Sequence, residues 1–163
     1  MSLVLKTALP PLVAPTAHVL ILGTMPGAVS LERQEYYANP RNQFWRVMQE
    51  LYGIPADAPY PVRIAGLEQK KIALWDVLES CERIGSLDSA IKNAIPNDFA
   101  GLLTDNPNLK VIAFNGKKAS EWFERWVLLD LSAFQTYILP STSPAATLTF
   151  VKKLVAWSVI RDF

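Results

Sequence analysis

Four short apolar runs punctuate the chain, at residues 18–23, 72–77, 110–115 and 136–139. Each is too short for a helix and is bounded by polar or turn-forming residues, so each reads as a buried strand. Between them apolar residues recur every three or four positions. Residues 42–52 place Phe44, Val47, Met48 and Leu51 on one helical face, and 63–71 forms a shorter helical stretch. A third helix, 97–103, opens on Asn97-Asp98 after Pro96, and a fourth spans 117–128 with Trp122, Phe123 and Trp126 as its aromatic stripe. The last, 147–161, turns Phe150, Val151, Leu154, Val155 and Val159 inward. Trp122, Trp126 and Trp157 fall on apolar helical faces and are expected in the core. Strands separated by helices predict an α/β fold: one three-layer α/β/α domain over residues 1–163, built on a central four-stranded parallel sheet with right-handed crossovers. Parallel strands send their C-terminal ends to one rim. Loops 23–27, 115–118 and 139–146 therefore meet there, with Asp76 close by.

Composition narrows the function classes. Half of the 163 residues are hydrophobic and 19% are charged, which specifies a globular domain with a substantial core. Sixteen basic against fifteen acidic residues leave a net charge of +1, which argues against a broad electrostatic grip on nucleic acid. Local phosphate contacts through backbone N–H groups and a few Lys or Arg remain open. Cys81 is the only cysteine, which excludes an intrachain disulfide and a thiolate metal cluster. His18 is the only histidine and starts the first strand, at the end away from the functional rim, so a Ser-His-Asp triad is excluded. No apolar run approaches the roughly 18 residues of a membrane helix, and the segment Met1 to Pro15 is broken by Pro10 and Pro11, unlike a signal peptide. A cytoplasmic protein with no membrane partner is expected. The chain lacks both a Lys-[Ser/Thr] phosphate loop and a GxGxxG run, which disfavours P-loop NTPases and Rossmann dehydrogenases.

The densest chemistry follows the first strand. Gly23-Thr24-Met25-Pro26-Gly27 lets the backbone approach a ligand while Pro26 stiffens the turn. A turn later comes Tyr36-Tyr37-Ala38-Asn39-Pro40-Arg41-Asn42-Gln43-Phe44-Trp45, rich in rings and carboxamides. These are the groups that stack on and hydrogen-bond a nucleobase. Two further segments complete the set, Ser80-Cys81-Glu82-Arg83-Ile84-Gly85-Ser86-Leu87-Asp88 and Leu139-Pro140-Ser141-Thr142-Ser143-Pro144-Ala145.

Together these segments make the chain resemble the uracil-DNA glycosylase superfamily over about residues 17–160, and within it the hypoxanthine-DNA (deoxyinosine) glycosylase family. The resemblance implies an α/β/α fold, no cofactor, no metal, and monofunctional hydrolysis of the N-glycosidic bond of deaminated bases in double-stranded DNA. Hypoxanthine is the leading substrate, with uracil and xanthine as further ones. No obligate protein partner is implied. The mismatch-specific uracil branch resembles Gly-Ile-Asn-Pro-Gly in the first loop, with the Asn positioning water. Met25 stands there instead and cannot polarise water. The resemblance moves that role to Asn39 and makes Tyr37 the ring that stacks on the extruded base. Phe44 joins the substrate-binding set.

Other assignments keep two readings open. Asn39 is also a common kind of turn residue before proline. Asn42 fits the cap of the helix it precedes. The N–H groups of Thr24, Met25 and Gly27 suit a departing base anion. Asn115 can read a base edge or cap the next helix; Asp76 can face the pocket or serve a turn. Ser141, Thr142, Ser143, Pro144 and Ala145 form a stiff loop suited to DNA phosphates or to capping the last helix, and Lys117 can meet phosphate or solvent. No mechanistic role attaches to Cys81-Glu82-Arg83, which reads as a turn packed under the pocket. A non-catalytic DNA- or nucleotide-binding module and a small-molecule nucleosidase are the competing function classes.

Overall fold

The structure is a computed structural model and describes residues 4–163. Its elements, in chain order, are β1 (Leu5–Thr7), β2 (Val19–Gly23), α1 (Ala28–Arg33), α2 (Phe44–Tyr52), α3 (Tyr60–Gln69), β3 (Ile72–Asp76), β4 (Leu78–Glu82), β5 (Lys92–Pro96), α4 (Phe99–Asp105), β6 (Val111–Asn115), α5 (Lys117–Trp126), β7 (Gln135–Leu139) and α6 (Phe150–Trp157). The four strands expected from the apolar runs pair in parallel in the order β3-β2-β6-β7. Every residue of β2, β3 and β6 is buried, as strands covered on both faces must be.

The two-residue period of β2 sorts its side chains between two cores. Val19 and Ile21 join Phe44, Val47, Met48, Leu67 and Trp157, beneath α2, α3 and α6. Leu20 and Leu22 join Phe99, Leu102, Ala119 and Phe123, beneath α4 and α5. That division is the three-layer α/β/α arrangement.

A second sheet was not anticipated. β1, β4 and β5 form a small antiparallel sheet in the order β1-β4-β5. Only Val77 separates β3 from β4, so one nearly continuous strand carries the chain from the parallel sheet into the antiparallel one. Cys81 is buried on β4. The outer edge of β3 is covered by Leu12, whose N–H and C=O pair with Leu74 at 2.9 Å in both directions. This protects an otherwise open strand edge.

Helix boundaries moved by two or three residues in most cases. α4 begins at Phe99, where the Asp98 carboxylate accepts from Gly101 N at 3.0 Å. α6 begins at Phe150, after Thr149. Its inward stripe needs a larger correction. Val151, Val155 and Val159 are exposed, whereas Lys153 and Trp157 are buried, with Phe150 and Leu154 beside them. Trp126 also departs from expectation: it is 42% exposed and stacks on Trp122, with Arg125 over its ring, rather than entering the core. No helix among the described residues is long and apolar enough to cross a membrane.

Candidate active site

β2 and β6 are neighbours, yet the chain leaves β2 for β3 on one side and enters β6 on the other. The crevice at their C-terminal ends is where ligands bind in open α/β sheets. Here it is a cleft of about 610 Å³, lined by the loops after β2, β6 and β7, by Asp76 at the end of β3, and by residues 86–89. Tyr37 and Asn39 complete it. Of the residues given a catalytic, base-binding or DNA-binding role from sequence, only Phe44 lies outside the lining.

Phe44 is instead fully buried, and the Tyr37 ring stacks on it with centroids 4.0 Å apart and planes inclined by 23°. It supports the cleft wall and does not face a ligand. Tyr37 occupies left-handed backbone at φ 55°, a conformation a bulky residue adopts only when its surroundings enforce it. Its hydroxyl is buried near Asn115 without a well-formed hydrogen bond, and burial together with the Asp76 charge pushes its pKa upward. Tyr36 belongs to the core; its hydroxyl donates to Pro10 O at 2.8 Å.

Asn39 lines the cleft, and its Oδ1 accepts from Arg41 N at 2.9 Å while its backbone carbonyl accepts from Asn42 N at 2.9 Å. The turn role and the cleft position thus coexist in one residue. The neighbouring carboxamide, Asn42, accepts from Phe44 N at 2.9 Å; it stands one residue before the N-cap of α2, which is Gln43 and not Asn42 as expected.

Asn115 does not cap α5. Its Oδ1 accepts from Thr142 N and its Nδ2 donates to Thr142 Oγ1, both at 2.9 Å. Thr142 is fully buried, and its carbonyl accepts from Gln43 N at 2.9 Å. The hydroxyl expected to meet DNA is therefore a latch between loops. Ser141, Ser143, Pro144 and Ala145 keep their places on the cleft wall. Lys153, although on α6, is buried and donates to Gln43 Oε1 at 2.9 Å, with burial pulling its pKa down. Lys117 is exposed at the cleft mouth and pairs loosely with Glu121 at 3.8 Å.

The first loop is held by residues that composition and spacing did not reveal. Arg83 is completely buried, and its guanidinium donates to Pro26 O and, at 3.4 Å, to Ser86 O. It lies 3.9 Å from the Asp88 carboxylate. The Ser86 hydroxyl accepts from Ala28 N at 2.9 Å, just beyond the loop. Val77 N and Leu78 N donate to the Gly23 and Thr24 carbonyls at 2.8 and 3.1 Å, and Met25 packs into the core under α4 and α5. The segment from Arg83 to Asp88 is thus the clamp on the Gly23–Gly27 loop, whereas Cys81 and Glu82, expected in a turn, are the last two residues of strand β4.

Gly23 has a specific reason to lack a side chain. A Cβ there would stand 2.5 Å from Asp76 Oδ1 and 3.3 Å from the Tyr37 hydroxyl. The missing side chain makes room for the Asp76 carboxyl, while Gly23 also lines the cleft. Asp76 is itself buried, and its Oδ2 has no hydrogen-bond partner among the described residues. Burial, reinforced by Asp88 and opposed by Arg83, raises its pKa to about 7.

A three-layer fold with a crevice at the strand ends, walled by an aromatic ring, carboxamides and a stiff Ser/Pro loop, defines an open α/β domain with a ligand crevice at its switch point. Residues 10–161 match the model of the family described as the uracil DNA glycosylase superfamily. The chain belongs to that superfamily, whose enzymes are DNA glycosylases, hydrolases of N-glycosyl bonds. It is similar to a hypoxanthine DNA glycosylase of Methanosarcina barkeri, with 35% identity over 94% of this chain and 96% of that protein. A hypoxanthine DNA glycosylase of Methanosarcina acetivorans is 38% identical over 86% of this chain and 88% of its own. A solution NMR structure from Methanosarcina acetivorans, described as a candidate uracil DNA glycosylase, superposes with a TM-score of 0.85 at 35% identity and covers 97% of both chains.

Proposed function

We propose that this glycosylase removes deaminated bases from double-stranded DNA, hypoxanthine first, by extruding the nucleotide and directing water at its sugar. One observation carries the reading: Tyr37 and Asn39, two residues apart in the chain, share a cleft whose size suits an extruded nucleotide. Extrusion costs a few kcal/mol, and less for a mispaired base such as hypoxanthine opposite thymine. Stacking on the Tyr37 ring returns about 1–3 kcal/mol.

Cleavage of the C1′–N bond develops positive charge on the sugar and negative charge on the base, an oxocarbenium-like transition state. Such a sugar needs only a weak nucleophile. The Asn39 carboxamide does not titrate near neutrality; its role is to hold water by its second Oδ1 lone pair or its free NH₂. The first-loop N–H groups and the Asp76 carboxyl receive the base, and Ser141, Ser143, Pro144, Ala145 and Lys117 meet the DNA backbone. The reaction calls on no cofactor, metal, membrane or obligate protein partner.

Incubation of labelled duplex containing deoxyinosine, followed by alkaline cleavage of abasic sites, tests this directly; uracil and xanthine duplexes set the range. Asn39→Ala slows release at least about tenfold, a loss on the order of 1.4 kcal/mol in transition-state stabilisation, while duplex binding stays nearly intact. A full-rate variant removes Asn39 from the mechanism. The existing Asn39–Arg41 hydrogen bond favours a second reading, a damaged-DNA-binding module without turnover. That reading predicts binding to deoxyinosine duplex and no strand scission at excess protein.

A further inference from the structure

We propose that Asp76 works as a neutral carboxylic acid whose O–H donates to the carbonyl oxygen of the extruded base while its C=O accepts the adjacent ring N–H. This rests on the glycosylase reading and assigns the base-edge contact that decides which bases leave readily.

Several features converge on this group. Asp76 lies at the C-terminal end of β3 and lines the cleft. Its side chain is buried, and Oδ2 has no partner among the described residues. A buried carboxyl oxygen left unsatisfied is costly unless a ligand completes it. Among the described residues Arg83 is the one cation acting on it, and it offsets the burial only in part: its guanidinium donates to Pro26 O and Ser86 O and lies 3.9 Å from Asp88, while its Nε has no partner there. The other titratable groups that interact with it are Tyr36, Tyr37 and Asp88. Burial and a second carboxylate nearby disfavour a negative charge on Asp76.

A carboxylic acid and a cyclic lactam are complementary. Hypoxanthine presents O6 as acceptor and N1–H as donor side by side, and the acid presents O–H and C=O at matching spacing. An ionised Asp76 offers only acceptors and would repel O6 as negative charge grows there. In the reaction the C1′–N9 electron pair leaves with the base, the water oxygen bonds to C1′, and the proton released by water ends on the base. Asp76 keeps its proton throughout and stabilises the departing anion by hydrogen bonding, like an oxyanion-hole donor.

The test is single-turnover release from deoxyinosine duplex between pH 6 and pH 8.5, with folding checked by melting at each pH. The wild-type rate is expected to be level on the acid side and to fall about tenfold per pH unit on the alkaline side of neutrality. Asp76→Ala is slow at every pH. Asp76→Asn, which keeps one donor and one acceptor, recovers part of that loss and shows no alkaline fall. A wild-type rate that rises with pH makes Asp76 a base and overturns the proposal, as does an alkaline fall that persists in Asp76→Asn. Release with a level wild-type profile removes only this role of Asp76. Absence of release at any pH removes the glycosylase reading and this proposal with it.

Discussion

Asn115 and Thr142 grip each other through two hydrogen bonds of 2.9 Å, one from the Thr142 amide to Oδ1 and one from Nδ2 to the Thr142 hydroxyl. The pair ties the end of β6 to the loop after β7, and Gln43 N extends the tie to the start of α2 through the Thr142 carbonyl. Three walls of the cleft are therefore held in register by one buried threonine.

Replacing Asn115 with Ala leaves a buried amide and a buried hydroxyl on Thr142 without partners. Each unsatisfied group costs about 1–3 kcal/mol, so the variant is expected to lose roughly 2–4 kcal/mol of stability in urea titration. Its KM for deoxyinosine duplex rises as the 141–145 loop loosens. An unchanged unfolding midpoint would show that the latch is replaceable.

Arg83→Met tests the clamp on the first loop. The methionine fills the space but cannot donate to Pro26 O or Ser86 O, and Asp88 loses its cation. Breaking charge-assisted hydrogen bonds of this kind costs about 2–3 kcal/mol. Release of base slows more than the stability loss alone explains, because the loop that faces the base is no longer fixed; rates measured well below the melting temperature separate the two effects. A variant destabilised but with full kcat would limit Arg83 to a structural role.

Asp76 also makes stability depend on pH. Its carboxyl takes a proton near 3.8 in the unfolded chain and at about 7 in the fold. Below the lower value both states are protonated and nothing is lost. As pH rises toward 7 the unfolded chain ionises first, and folding loses ground until the fold ionises too. The full penalty, on the order of 4 kcal/mol, is reached above about pH 7. Asp76→Asn escapes it. Its melting temperature relative to wild type is expected to be near zero at pH 4 and to grow to several degrees by pH 8, as calorimetry at stepped pH can read. A constant difference would place the carboxyl in a far more solvated setting.

The parallel sheet was readable because its inner strands are apolar on both faces, which no surface segment tolerates. The antiparallel sheet escaped because Leu78-Glu79-Ser80-Cys81-Glu82 and Lys92-Asn93-Ala94-Ile95-Pro96 are short and half polar, without a run long enough to stand out. The stripe of α6 was misread for one reason. Lys153 sits on its buried face, satisfied by Gln43, so Val151 and Val155, two positions to either side, give the stronger apolar rhythm. At the site, the loops were legible because Gly, Pro and Asn mark turns at strand ends. The Arg83 clamp and the Thr142 latch were not, since each depends on partners 57 and 27 residues distant. Phe44 was placed one layer too far forward: sequence shows an aromatic beside the pocket but not that Tyr37 covers it.

The sealed thiol of Cys81 has a practical consequence. A maleimide dye finds no native target on the folded surface, so a cysteine introduced at Ser143 becomes the single labelled position. Fluorescence from that one probe can then follow how the rim responds when a duplex arrives, against a dark background.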